Sequence, residues 1–510
     1  MTQAEINKPT YRPAGYATLI ERYDLDVIPN RHKSFVASAG IHRIASTGGV
    51  IEEIYPSKYR PEDTLGDHLE FALKYDGTNL AILAALFQKA EKKDFLEYIL
   101  SKPTGKYARR LWYLYEFLTG NMLPLEGVNQ GNYVDLLAPD EYYTITPPRR
   151  IRRQRINDNM LGDNRFCPTV RRTDTLRNFE TADLSEKCRQ LVSSYSREVL
   201  KRALGRLYTK ETRSSFEIER IKPTSTRTDR FVALLQLAER EDFCEKDRLI
   251  ELQNRIVDAR FRASDYRLTQ NYVGETVAWQ KEKIHFACPK PEDLADLMEG
   301  LTAAHKRMTA GNASAVIHAA AIAYGFVFLH PFEDGNGRIH RFLIHNVLAR
   351  RGYTPEGVMF PVSASMLKNA ADYDASLEAF SRLLMPLVEY SLDEEGRMTV
   401  HNDTAWWYRF IDMTPQAESL FRFIERTIDT ELAGELAFLA HYDKTKEVIQ
   451  EIVDMPDLKI DLFIRFCLQN NGKLSTRKRA EHFEFLSDEE IARMEQAVRS
   501  AYNGNTANAP

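Results

Sequence analysis

Twelve residues from His330 to Arg341 (HPFEDGNGRIHR) place a histidine, an acid, a Gly-Asn-Gly turn and two arginines within one loop and one helical turn. His330 can take a proton from an attacking hydroxyl near neutral pH, where imidazole titrates. Asp334 offers hard carboxylate oxygens, the usual way a protein holds Mg²⁺ beside nucleotide phosphates. Gly335 and Gly337 flank Asn336 and let the backbone turn tightly, aiming its amides outward at the start of a helix. That is an anion site. Arg338 and Arg341 lie three apart on one side of that helix, where both guanidiniums can reach neighbouring phosphates. The ensemble supports phosphate-transfer chemistry. A plain Gly-rich turn with His330 as a capping residue would need neither the acid nor both arginines.

The same string resembles the motif of the Fic-domain family, H-x-F-x-D/E-G-N-G-R-x-x-R. It matches at every fixed position: His330, Phe332, Asp334, Gly335, Asn336, Gly337, Arg338 and Arg341. The resemblance implies a mostly helical fold that transfers AMP from ATP to a protein hydroxyl. It also implies roles: His330 as base, Asp334 on Mg²⁺, Gly335 to Gly337 around the phosphates, Arg338 on the β-phosphate and Arg341 on the γ-phosphate.

The flanking sequence supplies elements to position these groups. Ala319 to Leu329 (AAAIAYGFVFL) is an apolar run long enough for a buried helix that delivers His330. Ile339, Phe342, Leu343 and Val347 recur at helical spacing, predicting an amphipathic helix from near Arg338. Residues 186–395 make up the expected catalytic core, with helical spacing over Leu191–Leu207, Phe231–Ala238 and Leu294–Met308. Between the last two, Val273, Val277, Trp279, Ile284 and Phe286 suggest two short strands around a turn. A hairpin at this place resembles the family's flap, which implies a protein target docked as an added strand on residues 272–288. Tyr373, in DYDASLEAF, matches an aromatic that contacts the nucleoside in the family; alone it reads as an amphipathic-helix tyrosine.

Ser214-Ser215-Phe216-Glu217-Ile218-Glu219-Arg220 follows a helix predicted over Val199–Thr209. Ser215 and Glu219 are four apart, on one face of a helical turn. They resemble the family's inhibitory motif, S/T-x-x-x-E-G/N, although Arg220 stands where the pattern has Gly or Asn. The resemblance implies that Glu219 pairs with Arg341 and denies it to the γ-phosphate, leaving the α-phosphate misaligned for in-line attack. Glu217 is also available as the acid, and the competing reading of the segment is a charged helix end.

Length and composition set wider bounds. A chain of 510 residues with 43% apolar and 28% charged residues is ordinary for a globular protein with a large core. A net charge of −4 argues against a general nucleic-acid binder. The five cysteines, Cys167, Cys188, Cys244, Cys288 and Cys467, show no C-x-x-C spacing and fit reduced thiols. No apolar signal core or membrane-length run is present, so a cytoplasmic protein is expected.

The predicted class is mainly α: a helical core with a small β-hairpin, a mixed α/β region over 1–185 and a helical module over 396–510. In the first region Leu69–Leu100 and Tyr107–Leu118 read as helices and Gly49–Tyr55 as a strand. Five arginines within Arg149–Arg155 lack interleaved aromatics and read as a solvated, salt-bridged connector. In the last region Lys473–Val498 is compatible with a winged-helix or helix-turn-helix unit touching DNA. Its balancing acids, Glu481, Glu484, Asp488, Glu489 and Glu490, favour a module for partner binding or self-association instead.

Two function classes follow. One is an autoinhibited protein adenylyltransferase using ATP and Mg²⁺. The other is a nucleotide-sensing regulatory or toxin–antitoxin-like binding protein. Within the enzyme class, a de-AMPylating enzyme is the closest competitor, because Glu219 could position a water. The full catalytic set favours the enzyme.

Overall fold

The computed structural model describes residues 11–38, 40, 42–278 and 281–502. Trp279 of the expected hairpin lies outside them. The fold is mainly helical with a few small sheets. It divides into two compact units, both discontinuous along the chain: residues 1–178, 240–351 and 370–421 in one, and 179–239, 352–369 and 422–510 in the other.

In the first unit, β1 (Tyr11–Ala14), β2 (His32–Ala37), β3 (Arg43–Thr47) and β4 (Val50–Tyr55) form a sheet of order β1-β2-β4-β3. Only β2 and β4 run parallel within it. The helical spacing over Leu69–Leu100 resolves into Leu65–Phe71, a π-helical turn, Leu80–Lys89 and Lys92–Ser101, followed by Lys106–Thr119. Their apolar faces form one core with Leu111, Leu114 and Leu83 fully enclosed.

The arginine run is not a connector. A small sheet joins β5 (Val134–Asp135), β6 (Arg149–Ile151) and β7 (Ile156–Asp158). Arg155 donates to the carbonyls of Val128, Asn129 and Gly131, while Arg153 pairs with Glu116 and lies over Trp112. The aromatics missing from the run come from elsewhere in the chain, and Arg153 and Arg155 brace a surface loop while Arg149, Arg150 and Arg152 are exposed.

The motif is carried by three helices of the first unit. Ala315–Leu329 is buried at every position from Val316 onward. It packs against Pro291–Ala310 and Asn336–Arg350. Gly325 permits this approach: a Cβ there would lie 2.7 Å from the Phe166 ring and 2.8 Å from Leu301. The hairpin forms as expected, with β8 (Tyr272–Ala278) antiparallel to β9 (Lys281–Ala287) and two register shifts. A last two-stranded sheet pairs β10 (Tyr390–Leu392) with β11 (Met398–Val400).

In the second unit the helix Arg197–Ile218 runs unbroken through the Ser214–Ile218 segment that sequence reading placed beyond it. It packs against Val362–Lys368 and Ala433–Ile452. Glu211, 1% exposed, accepts the amide of Ser363 at 2.8 Å and so caps the first turn of Val362–Lys368. Buried Glu431 holds Lys210 at 2.5 Å and Lys368 at 2.6 Å. Ala433–Ile452, Asp457–Leu468, Thr476–His482 and Asp488–Tyr502 enclose a separate apolar cluster around Phe463, Phe483 and Met494. The described residues from 422 onward contain no strand. No helix among the described residues is long and apolar enough to cross a membrane.

Candidate active site

His330 ends the helix Ala315–Leu329 in the left-handed region, at φ +50°. Few residues other than glycine adopt that conformation, although histidine is among those that do so more often. Its Nδ1 lies 3.1 Å from the carbonyl of Val327. Only an N–H can face a carbonyl, which makes Nδ1 the protonated nitrogen and leaves Nε2 as the basic one. Burial pushes the imidazole down to about 4, aided by the Arg267 guanidinium and opposed by the Val327 carbonyl and Asp334. His330 is therefore neutral at pH 7, with a lone pair on Nε2.

The loop after it is stitched from within. Asn336, 2% exposed, accepts the amide of Phe332 at 3.0 Å and donates to its carbonyl at 2.6 Å. The Asn336 side chain thus shapes the turn. Gly335 precedes the helix Asn336–Arg350 with φ +94°, and a Cβ there would meet Val257 at 2.8 Å. Gln253, fully buried, donates to the carbonyls of Phe261 and Asp334 and so ties the loop to the helix Lys246–Ile256.

Asp334 and Arg338 form an ion pair at 2.6 Å, the arginine fully buried and the carboxylate side chain 39% exposed. The adjacent Glu333 turns away and accepts from the Thr269 hydroxyl at 3.1 Å. Of the two neighbouring acids, Asp334 is therefore the one beside the buried Arg338. Its accessible carboxylate is the oxygen donor type that Mg²⁺ on a nucleotide takes. Arg341 is 1% exposed on the same helix. That helix begins at Asn336, two residues before Arg338, and is not amphipathic: twelve of its fifteen residues are buried, Asn336, Arg338, His340, Arg341, His345 and Asn346 among them. Asn346 is met inside, donating to the Glu241 carbonyl at 2.7 Å.

Tyr373 is 6% exposed, with its ring 6.1 Å from that of His340 in a stacked arrangement. His340 also meets Tyr324 edge-on at 4.7 Å, and burial pushes it down to about 3. The buried His318 is likewise pushed well down by burial, and by His305 beside it. A histidine whose folded pKa lies below its unfolded ~6.5 binds fewer protons when folded, so stability falls as pH drops from ~6.5 toward the folded value. The thermal midpoint is expected to fall steadily from pH 6.5 to about pH 4, and less steeply in His340→Phe. Calorimetry across that range measures both slopes, and equal slopes would contradict the burial of His340.

Ser215 is fully buried near the end of the helix Arg197–Ile218, Glu219 caps that helix at φ −90°, and Arg220 follows at φ +57°. Glu217 is exposed and Glu219 half-buried. Outside the motif, Asp242, Cys244 and His305 bring donor atoms within 4.8 Å of one another. Asp242 is already engaged by Arg350, by His305 at 3.1 Å and by the Cys244 amide at 3.0 Å. His318 backs His305 at 3.0 Å, making the group a polar bridge between helices. All five cysteines are free and buried.

Sequence reading missed Gln253 and Arg267, which hold the motif loop through backbone carbonyls. Gln253 left a trace, a polar residue on the apolar face formed by Leu249, Leu252 and Ile256. Arg267 left none.

The Fic/DOC family model matches residues 243–348. The protein adenylyltransferase Fic of Drosophila grimshawi is 33% identical over 153 residues, covering 28% of this chain and 29% of that protein. The protein of the same name from Nematostella vectensis is 27% identical over 208 residues, 40% of this chain and 37% of its own. The chain thus spans well under half the length of these curated relatives. A Fic domain containing signaling protein from Bacteroides thetaiotaomicron aligns at 19% identity and a TM-score of 0.37, over 50% of this chain and 97% of that one. The match of residues 243–348 encloses every fixed position of the His330–Arg341 motif, and the chain therefore carries a Fic domain of the Fic/DOC family.

Proposed function

We propose that this protein transfers AMP from ATP to a hydroxyl of a protein target. The observation that carries the reading is His330: a neutral imidazole with Nδ1 fixed on Val327 and Nε2 left as base, one loop away from a glycine-started helix bearing two buried arginines. In this reading the target hydroxyl gives its proton to Nε2 while its oxygen attacks the α-phosphorus. The new oxygen–phosphorus bond forms as the bond to the β-phosphate breaks, and pyrophosphate leaves. Backbone amides of Gly335 to Gly337, Arg338 and Arg341 hold the phosphates. Asp334 would hold Mg²⁺, which would supply charge neutralisation at the phosphate oxygens. Phosphates brought beside His330 would raise its pKa from the depressed value of the free protein, toward the range a general base needs. Glu219 restrains Arg341, in keeping with its place four residues after Ser215. Relatives named protein adenylyltransferase support the reading.

The test is incorporation of labelled AMP from ATP and Mg²⁺ into the protein itself and into lysate proteins. Asp334→Ala is expected to lose most Mg²⁺-dependent incorporation, roughly the 10²-fold that follows loss of one well-placed electrostatic group, whereas Glu333→Ala should stay near wild type. The reverse pattern would move the metal to Glu333. No incorporation with any Glu219 or wild-type form would remove the transferase reading, and release of AMP from a modified protein instead would favour the reverse reaction.

A further inference from the structure

Arg267 is a buried cation without a buried anion. It is 4% exposed, and among the described residues no carboxylate lies within ion-pair distance of it. Its guanidinium donates instead to three carbonyls: Nε to His330 at 2.8 Å, Nη1 to Thr269 at 2.8 Å and Nη2 to Pro289 at 2.7 Å. Its own amide donates to Pro331 at 2.8 Å. Burying a guanidinium costs several kcal/mol unless its donors are met, so a cage of aligned carbonyls marks a position where the fork geometry itself is used.

The four acceptors fall into two groups. Thr269 lies before β8 and Pro289 after β9, so they are the two feet of the hairpin. Those feet are laced further by Gln270, which donates to the Cys288 carbonyl at 2.7 Å, and by the Cys288 amide on Asn271 at 3.1 Å. His330 and Pro331 form the peptide that turns the chain out of the helix Ala315–Leu329. His330 sits in the left-handed region there, and a proline follows it, which narrows its backbone choices further. Two bonds from Arg267 grip that peptide.

We propose that Arg267 is a positioning residue that couples the β8–β9 hairpin to the proton-accepting histidine. It fixes the His330–Pro331 peptide on one side and both hairpin feet on the other, so a protein strand added to the hairpin is placed by the same group that aims the imidazole. The catalytic part of this inference rests on the AMP-transfer reading. The mechanical part does not.

Arg267→Ala and Arg267→Lys test it, each measured for hydrogen exchange over residues 326–334 and for kcat and KM in labelled-AMP transfer. In Arg267→Ala, exchange in that segment should speed up while the helix Pro291–Ala310 stays protected. The kcat should fall about 10²-fold, the usual result of a small misplacement of a catalytic group, with KM for ATP within about threefold. Added guanidinium ion should restore part of both readouts. Arg267→Lys should resemble Arg267→Ala, because a single ammonium does not span three separated carbonyls. Unchanged exchange at 326–334, or faster exchange spread equally over Pro291–Ala310, would overturn the clamp. A kcat loss matched by an equal rise in KM, or full activity in Arg267→Lys, would overturn the positioning role. If wild type transfers no AMP, the transfer reading fails and the exchange arm still decides the clamp.

Discussion

Loss of transfer with retained nucleotide binding is the expected result for His330→Ala. Removing a general base typically costs ~10²–10⁴-fold in rate. The imidazole is held through Nδ1 by Val327 and points no second hydrogen bond into the phosphate-side residues, so its removal leaves Arg338, Arg341 and the Gly335–Gly337 turn in place. Calorimetric titration with ATP should therefore give a Kd within a few-fold of wild type. Transfer at the wild-type rate would sink the assigned role, and a lost ATP affinity would show that His330 supports the loop rather than the chemistry. His330→Gln separates the two further, because its amide can keep a bond to the Val327 carbonyl while lacking a basic nitrogen.

Glu219→Gly is expected to raise incorporation into both the protein itself and its targets, by tenfold or more, the scale of a coupling near 1.4 kcal/mol. In the proposed arrangement it releases Arg341 to the γ-phosphate, which orients the α-phosphate for in-line attack. Arg341 is 1% exposed, and a buried arginine deprived of its acid costs about 3–5 kcal/mol until a ligand replaces it. The variant should accordingly melt lower without nucleotide and recover when ATP is added, by about 2.7 kcal/mol at a hundredfold excess over Kd. Glu217→Gly is the control, since Glu217 is exposed at the helix end where Glu219 is half-buried. Equal, low incorporation in Glu219→Gly and wild type would remove the inhibitory segment from the account. Stimulation by Glu217→Gly alone would move it to that residue.

The sequence made some elements plain for physical reasons and concealed others. The helix before His330 was legible because an uninterrupted apolar run must be buried, and it is. The hairpin was legible because β-branched and aromatic residues alternate around a turn, and the mainly helical class followed from spacing over most of the chain. The helix after Asn336 was legible in position but not in environment: its polar residues suggested a wet face, yet they are buried, Asn346 against the Glu241 carbonyl far off in sequence. The same reason hid the arginine run, whose aromatic and carbonyl partners lie at Trp112 and Val128–Gly131. Arg267 and Gln253 were invisible because a side chain that binds backbone carbonyls leaves no pattern in residue types. Discontinuous units were beyond reach as well, since periodicity is a local property and contacts are not.

One of those long-range contacts bears on how the protein is made. Cys167 and Thr169 donate backbone hydrogen bonds to Arg409 at 2.7 Å and Ile411 at 3.0 Å, Met413 returns one to Thr169 at 2.8 Å, and Arg171 pairs with Asp412. Tyr324 likewise shares a hydrogen bond with Ser376 at 3.0 Å, from the far side of the motif. On a translating ribosome, the whole motif therefore leaves the exit tunnel before the segment that completes its unit has been synthesised. Closure across some 240 residues is slow by its loop entropy and by its contact order. A nascent or prematurely ended chain would thus hold the motif residues in an unfinished core, completed only after the segment around Met413 has joined that around Thr169.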